Sequence, residues 1–143
     1  MTTITIKVPV PSIMRRLVSA SIVCAHSGDL AGVERCARTV AIEYGATGVD
    51  QAARFGALFG ARRVHSAGGT VWTDEIAGRV DDMHPAMATA YRMIAATLAD
   101  DLPAVDALVL AARAHRYQQR LLVSMAAAVA QVIHANPWPV TTS

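Results

Sequence analysis

Two carboxylates and an imidazole stand close together in the sequence, at Asp81, Asp82 and His84. If this stretch is helical, these groups have a spacing at which they could bind a metal ion. One such cluster supplies at most two or three ligands, so a catalytic metal would need further ligands from elsewhere in the chain. The competing interpretation is structural, because acidic side chains in the first turn of a helix stabilise its dipole. The structural interpretation is the favoured one.

The two cysteines, Cys24 and Cys36, are the candidates for thiol chemistry. We predict that they lie on the two arms of a helical hairpin at different heights from its turn, which places them poorly for a disulfide. They are therefore interpreted as free thiols in a reducing compartment, with a redox pair as the alternative. The N-terminal residues lack the apolar segment of a secretory signal, and a cytoplasmic location is expected.

Sequence motifs that bind phosphate, nucleotides or zinc, or that carry a catalytic serine, are absent. Gly68 and Gly69 follow a predicted helix and precede a strand-like stretch, which is the wrong order for a dinucleotide-binding loop. We predict no cofactor and no metal ion, and an enzyme is the less favoured class. The enzymatic alternative is a small helical-bundle enzyme or a metal- or ligand-binding protein that uses Asp81, His84 and His115.

Length and composition predict one helical domain over residues 1–143 that has much apolar surface to hide. Hydrophobic residues make up 53% of the chain and charged residues 17%, so this surface is buried internally or against partners. The net charge of +2 is too small to indicate nucleic-acid binding by itself. The best candidate for a membrane span, residues 121–140, offers roughly 13 apolar residues where about 20 are needed, so no membrane contact is predicted.

The spacing of apolar residues predicts a mainly α protein with about six helices in a bundle. Residues 1–10 alternate between apolar and polar and predict a short half-buried β-strand. Gly45 is predicted to end the second helix, and a capping box at Thr47–Asp50 to open the third. The predicted parts are a strand at 1–10, a helical hairpin plus a third helix at 12–64, a glycine-rich loop at 65–73, helices at 74–135 and a tail at 136–143.

The third predicted helix carries a row of small residues, Ala52, Gly56 and Gly60, spaced four apart. Each glycine costs a helix about 1 kcal/mol relative to alanine, and close contact with a neighbouring helix can offset that cost. The row therefore predicts a close helix crossing. The alternative is a ligand that approaches bare backbone.

A single long helix is predicted over residues 101–135, with Pro103 in its first turn. At 1.5 Å per residue it would span roughly 50 Å, which is longer than a domain of this size needs for its own core. Its apolar and small residues recur at intervals of three and four, as in a face packed against other helices. The predicted interface consists of Leu108, Ala112, His115, Gln119, Leu122, Met125, Val129 and Val132.

His115 and Gln119 place polar side chains inside this apolar row. A polar pair in such a position can fix the register or the oligomeric state of packed helices. The alternatives are a solvated gap between two shorter apolar runs and a ligand contact in a pocket. The leading hypothesis for function is a non-enzymatic, homo-oligomeric helical protein that acts as an interaction or regulatory module, with a protein partner as a further possibility.

The N-terminal third of the sequence supports a second hypothesis. A short strand (Thr3 to Val8), a proline and two helices follow one another in the order that resembles ribbon-helix-helix DNA-binding proteins. In that family, paired strands from two chains enter the major groove. The resemblance implies a dimeric transcriptional regulator. It also implies base contacts from Thr3, Thr5 and Lys7, and a phosphate contact from Arg15 or Arg16.

Overall fold

The computed structural model describes residues 11–66 and 79–135. Within these ranges the protein is mainly α-helical, as predicted. The predicted β-strand at residues 1–10 lies outside the described residues and is not confirmed, and residues 67–78 and 136–143 lie outside them as well. The helices are α1 (Ser12–His26), α2 (Leu30–Ser66), α3 (Pro85–Leu98), α4 (Leu102–Ala114) and α5 (Gln118–Ala135), with a 3-10 turn at Val80–Asp82.

A tight turn joins α1 to α2 and forms the predicted helical hairpin. Gly28 has a φ angle of +80°, a left-handed conformation that glycine adopts without a steric penalty. The carboxylate of Asp29 accepts a hydrogen bond of 2.9 Å from the backbone N–H of Gly32 and caps the start of α2. The two helices pack along each other. Their buried side chains include Met14, Val18, Ile22, Val33, Ala37 and Val40.

Gly45 interrupts α2 at the position where a helix end is predicted. Its backbone angles are φ +70° and ψ −166°, which are not helical, so Leu30–Ser66 consists of two helices joined at a kink. The predicted capping box at residues 47–50 lies just beyond this kink, but the Asp50 carboxylate there accepts hydrogen bonds from Arg113 and Gln118. Because α2 is counted as one element across the kink, the described ranges contain five α-helices and not the predicted six.

The predicted long helix over residues 101–135 is wrong, because it is interrupted between α4 and α5. Arg116 adopts a φ angle of +59°. The N–H of Tyr117 donates to the carbonyl of Ala112 at 3.0 Å, and the N–H of Arg116 donates to that of Arg113 at 3.2 Å. This pair of hydrogen bonds is the Schellman pattern that ends a helix. The left-handed position is normally glycine, and here it is an arginine.

Replacing Arg116 with glycine is expected to raise the free energy of unfolding by about 0.5–1 kcal/mol, because a side chain in the left-handed region is strained. Urea unfolding measures the change. The matched control is Arg120→Gly, at an exposed position inside α5, where glycine should lower stability by about 1 kcal/mol. Loss of stability in both variants would show that the backbone at residue 116 carries no strain.

The second half of α2 is the centre of the fold. It packs against α1, α3 and α5, and it is buried on nearly all sides. Its buried residues are mostly small: Gly48, Val49, Ala52, Ala53, Gly56, Ala57, Leu58, Gly60, Ala61, Arg63 and Val64. A helix without large side chains lets its neighbours approach closely, so the core volume comes from residues on the surrounding helices.

Close packing along the predicted small-residue row is confirmed at both glycines. A Cβ atom on Gly56 would lie 2.7 Å from Cγ of Met125 in α5. A Cβ atom on Gly60 would lie 3.1 Å from Cδ1 of Ile94 in α3 and 3.3 Å from Cγ2 of Val129 in α5. Side chains of this protein fill the space above both residues.

Candidate functional site

In the cluster at Asp81, Asp82 and His84, His84 caps the start of α3 and Asp81 forms an ion pair. The Nδ1 atom of His84 accepts a hydrogen bond of 3.2 Å from the N–H of Ala86, which makes His84 the N-cap. Asp81 Oδ1 lies 2.9 Å from Nη2 of Arg92. Among the residues in the two described ranges, no group of three or more histidine, cysteine, aspartate or glutamate side chains could hold a metal ion. The geometry shows helix capping and surface charge pairing at this cluster.

The row predicted as an interface divides into two environments. Its polar members, His115 and Gln119, are exposed, and the ring of His115 stacks against that of Tyr117 at a centroid distance of 6.3 Å. Leu108 is half-buried. The remaining five members are buried in this chain's own core: Ala112, Leu122, Met125, Val129 and Val132. A second chain reaches those five side chains only by displacing helices of the first.

Two of the residues that the ribbon-helix-helix resemblance selected can be placed. Arg15 and Arg16 are exposed on α1, where they line an open depression together with Ser12 and Ser19. The other three candidates, Thr3, Thr5 and Lys7, lie outside the described residues. The DNA-binding interpretation therefore stays a prediction.

Large exposed hydrophobic side chains concentrate on the first hairpin. Six are exposed in the described ranges, and four of these lie on α1 and the first half of α2. The four are Ile13, Val23, Leu30 and Ile42, with exposed fractions of 61%, 67%, 61% and 74%. The other two, Phe59 and Leu110, stand apart on α2 and α4. The hairpin thus carries most of the large hydrophobic side chains that are exposed in the described ranges.

Three of these side chains project from one side of the hairpin. On α1, successive residues rotate by about 100°, which puts Ile13 and Val23 away from the buried stripe at Met14, Val18 and Ile22. On α2, the same rotation puts Ile42 opposite the stripe of Val33, Ala37 and Val40. Both helices turn the same side of the hairpin to the core, so their opposite sides form one surface. We name this surface the outer hairpin face and define it by Ile13, Arg16, Val23, Arg35 and Ile42.

Charges of both signs accompany these apolar side chains. Arg16, Arg35 and Arg38 are exposed on the hairpin, and so are Glu34 and Glu43. Arg35 Nη2 lies 3.9 Å from Asp29 Oδ2, and both side chains are well exposed. Exposed ion pairs contribute little to stability, so these groups remain available to a partner.

Asp50 is a structural residue that the sequence analysis assigned to the wrong role. It was predicted to belong to a helix cap, but its carboxylate joins α2 to the junction of α4 and α5. Oδ2 accepts from Nη2 of Arg113, and Oδ1 accepts from Nε2 of Gln118 at 2.9 Å. A second ion pair, between Arg54 Nη1 and Asp106 Oδ1 at 2.6 Å, also links α2 to α4. Partners this far apart in sequence leave no local signal.

Comparison with known proteins gives no functional assignment. No protein-family model, curated protein or solved structure matches this chain. Within the described residues, the helices are too short or too polar to traverse a lipid bilayer. The outer hairpin face is the candidate functional site.

Proposed function

We propose that this protein is a helical interaction module that self-associates through the outer hairpin face. The observation that supports the proposal is the concentration of exposed Ile13, Val23 and Ile42 on one side of the hairpin. Exposed apolar surface that is concentrated in one part of a protein commonly marks a contact site for another protein. Exposed arginines and glutamates on the same hairpin allow charge pairing between two identical copies.

The size of the apolar contribution indicates a weak, reversible association. Burying one such side chain contributes roughly 1–2 kcal/mol when it is already partly covered. A two-fold symmetric contact uses each residue twice, so six side chains contribute about 6–12 kcal/mol. Association costs about 4–15 kcal/mol in lost freedom. We therefore expect a dissociation constant in the micromolar range or weaker.

Replacing Ile42 with glutamate is expected to weaken self-association at least tenfold, because a carboxylate would be desolvated at the contact. Sedimentation equilibrium from about 1 to 200 μM brackets micromolar affinities and measures the mass of each variant. The matched control is Leu110→Glu, which places the same charge at another exposed hydrophobic position, on α4. Both substitutions lie at the surface, so both variants should fold.

The proposal requires the wild-type mass to increase with concentration and the Leu110→Glu variant to behave like wild type. A wild-type chain that stays monomeric over this range would overturn it. Equal weakening by both substitutions would show that the contact does not depend on the outer hairpin face. Circular dichroism on each variant checks that the helices are retained.

A further inference from the structure

The thiol of Cys24 in α1 lies against α2, one helical turn from Cys36. Sγ of Cys24 lies 2.7 Å from the point that a Cβ atom on Gly32 would occupy. Gly32 and Cys36 are four residues apart in α2, so they share a face of that helix, with about 5–6 Å between their Cβ positions. Both cysteines are free and partly buried. The absence of a side chain on Gly32 is what lets the α1 thiol lie against α2 on the face of Cys36.

The two cysteines lie at different heights from the turn, and Cys24 is beside Gly32, four residues before Cys36. The N–H of Asp29 donates to the carbonyl of Cys24 at 2.8 Å, which folds the start of α2 back beside the end of α1. Cys24 therefore stands beside the first turn of α2, and Cys36 stands one turn further along.

The electrostatics of Cys36 are consistent with this proximity. Burial raises the pKa of the Cys36 thiol, and the neighbouring Cys24 raises it further. Arg35 acts in the opposite direction and lowers the pKa, while Asp29 raises it. Because the thiolate is the reactive form, oxidation that involves Cys36 should become faster as the pH rises toward its pKa.

We propose that Cys24 and Cys36 form a reversible disulfide by exchange with small disulfides of the glutathione class, and that this bond links α1 to α2. The proposal concerns a modification site inside the hairpin and does not depend on self-association. It follows from the position of the Cys24 thiol beside Gly32 and of Cys36 one turn further along the same face of α2.

The exchange balances in two steps. The Cys24 thiolate attacks one sulfur of oxidised glutathione, the glutathione S–S bond breaks, and one glutathione leaves as a thiolate. The Cys36 thiolate then attacks the Cys24 sulfur of the mixed disulfide and releases the second glutathione. The protein loses two electrons and two protons, and one molecule of oxidised glutathione becomes two of reduced glutathione.

The geometry indicates that the bond would be easy to reduce. A relaxed disulfide requires Cα atoms about 4.4–6.8 Å apart. Cys24 lies beside Gly32, so it is offset from Cys36 by four residues of α2, about 6 Å along the helix axis. The end of α1 must therefore move by part of a turn when the bond forms. Gly28 in the turn has a φ angle of +80° and no side chain, which gives the turn backbone the conformational freedom for this movement. Strain of this kind raises the reduction potential, as in labile disulfides.

The test equilibrates the full chain in glutathione buffers of increasing oxidised fraction, quenches with acid and measures the intact mass. Wild type is expected to lose two hydrogen atoms without gaining glutathione, and a reductant should restore the original mass. Cys24→Ser and Cys36→Ser are the matched controls, and each should gain one glutathione instead. Formation of the bond should be several-fold faster at pH 9 than at pH 8, because the thiolate fraction increases.

Three outcomes would overturn the proposal. Wild type could stay fully reduced in pure oxidised glutathione, or it could carry one or two glutathiones as mixed disulfides without forming the intramolecular bond. It could also give only disulfide-linked pairs of chains, which non-reducing electrophoresis would reveal.

Discussion

Replacing Gly56 with alanine is expected to lower the free energy of unfolding by about 1–3 kcal/mol, the usual cost of overpacking a core. The new Cβ atom would lie 2.7 Å from Cγ of Met125. Met125 is 1% exposed, so it has little room to move away. Urea or thermal unfolding monitored by circular dichroism measures the change.

A second background makes this prediction specific. Met125→Ala removes the side chain that the new Cβ would meet, and this deletion alone should cost about 2–5 kcal/mol because it leaves a cavity. In that background, Gly56→Ala should become stabilising, since alanine is the better helix former by about 1 kcal/mol. A double-mutant cycle therefore gives opposite signs for the same substitution. If Gly56→Ala lowered the free energy of unfolding equally in both backgrounds, Met125 would not be the side chain that the new Cβ atom meets.

Replacing Asp50 with alanine is expected to cost about 1–2 kcal/mol. Hydrogen bonds to charged groups contribute about 1.5–3 kcal/mol, and the half-exposed Arg113 reduces that contribution through solvent screening. The Asp50 side chain is only 12% exposed, and its loss removes the acceptor for both Arg113 and Gln118. Urea unfolding measures the effect, and hydrogen exchange should show faster opening where α4 meets α5.

Asp106→Ala is the matched control for this substitution. It removes the carboxylate from the other ion pair between α2 and α4, but the Asp106 side chain is 58% exposed. Exposed pairs contribute about 0–1 kcal/mol, so the control should be less destabilising than Asp50→Ala. If both variants lost the same free energy of unfolding, the burial of Asp50 would not strengthen its interactions.

Much of the helical framework could be predicted because the chain marks it locally. Asp101 caps α4 through a hydrogen bond of 3.2 Å to the N–H of Ala104, with a proline in the first turn. Pro85 begins α3 immediately after its N-cap. Capping residues and prolines act over three or four positions, so their effects are visible without knowledge of the fold.

The kink at Gly45 could be predicted from the sequence, but the break between α4 and α5 could not. Gly45 lies in the left-handed region, which glycine adopts without a steric penalty. The stretch from His115 to Tyr117 has no glycine, proline or asparagine, yet a helix ends there. The hydroxyl groups of Tyr117 and Thr89 lie 3.1 Å apart, and Asp50 of α2 accepts from Gln118, so contacts with α3 and α2 hold this joint. Tertiary contacts decide the position of this break, and they override local propensity.

Part of the candidate site could be predicted from the periodicity of apolar residues along α1 and α2. Ile42 lies two residues after Val40, and Ile13 lies next to Met14, so both fall outside the apolar stripes that face the core. The contacts of Asp50 were not readable, because Arg113 and Gln118 are 63 and 68 residues away. Alanine is abundant in α2, and its small size hides the difference between a buried and an exposed face.

The small residues in the second half of α2 also affect the newly made chain. Gly56 and Met125 are about 70 residues apart, and a ribosome working at 5–20 residues per second needs about 4–14 s to make that stretch. During this time α5 does not yet exist, and the face of α2 that it will cover stays open to water. Glycine and alanine expose far less apolar area than leucine would. Until α5 is made and packs against it, this helix therefore exposes little apolar surface and has a low tendency to aggregate with other chains.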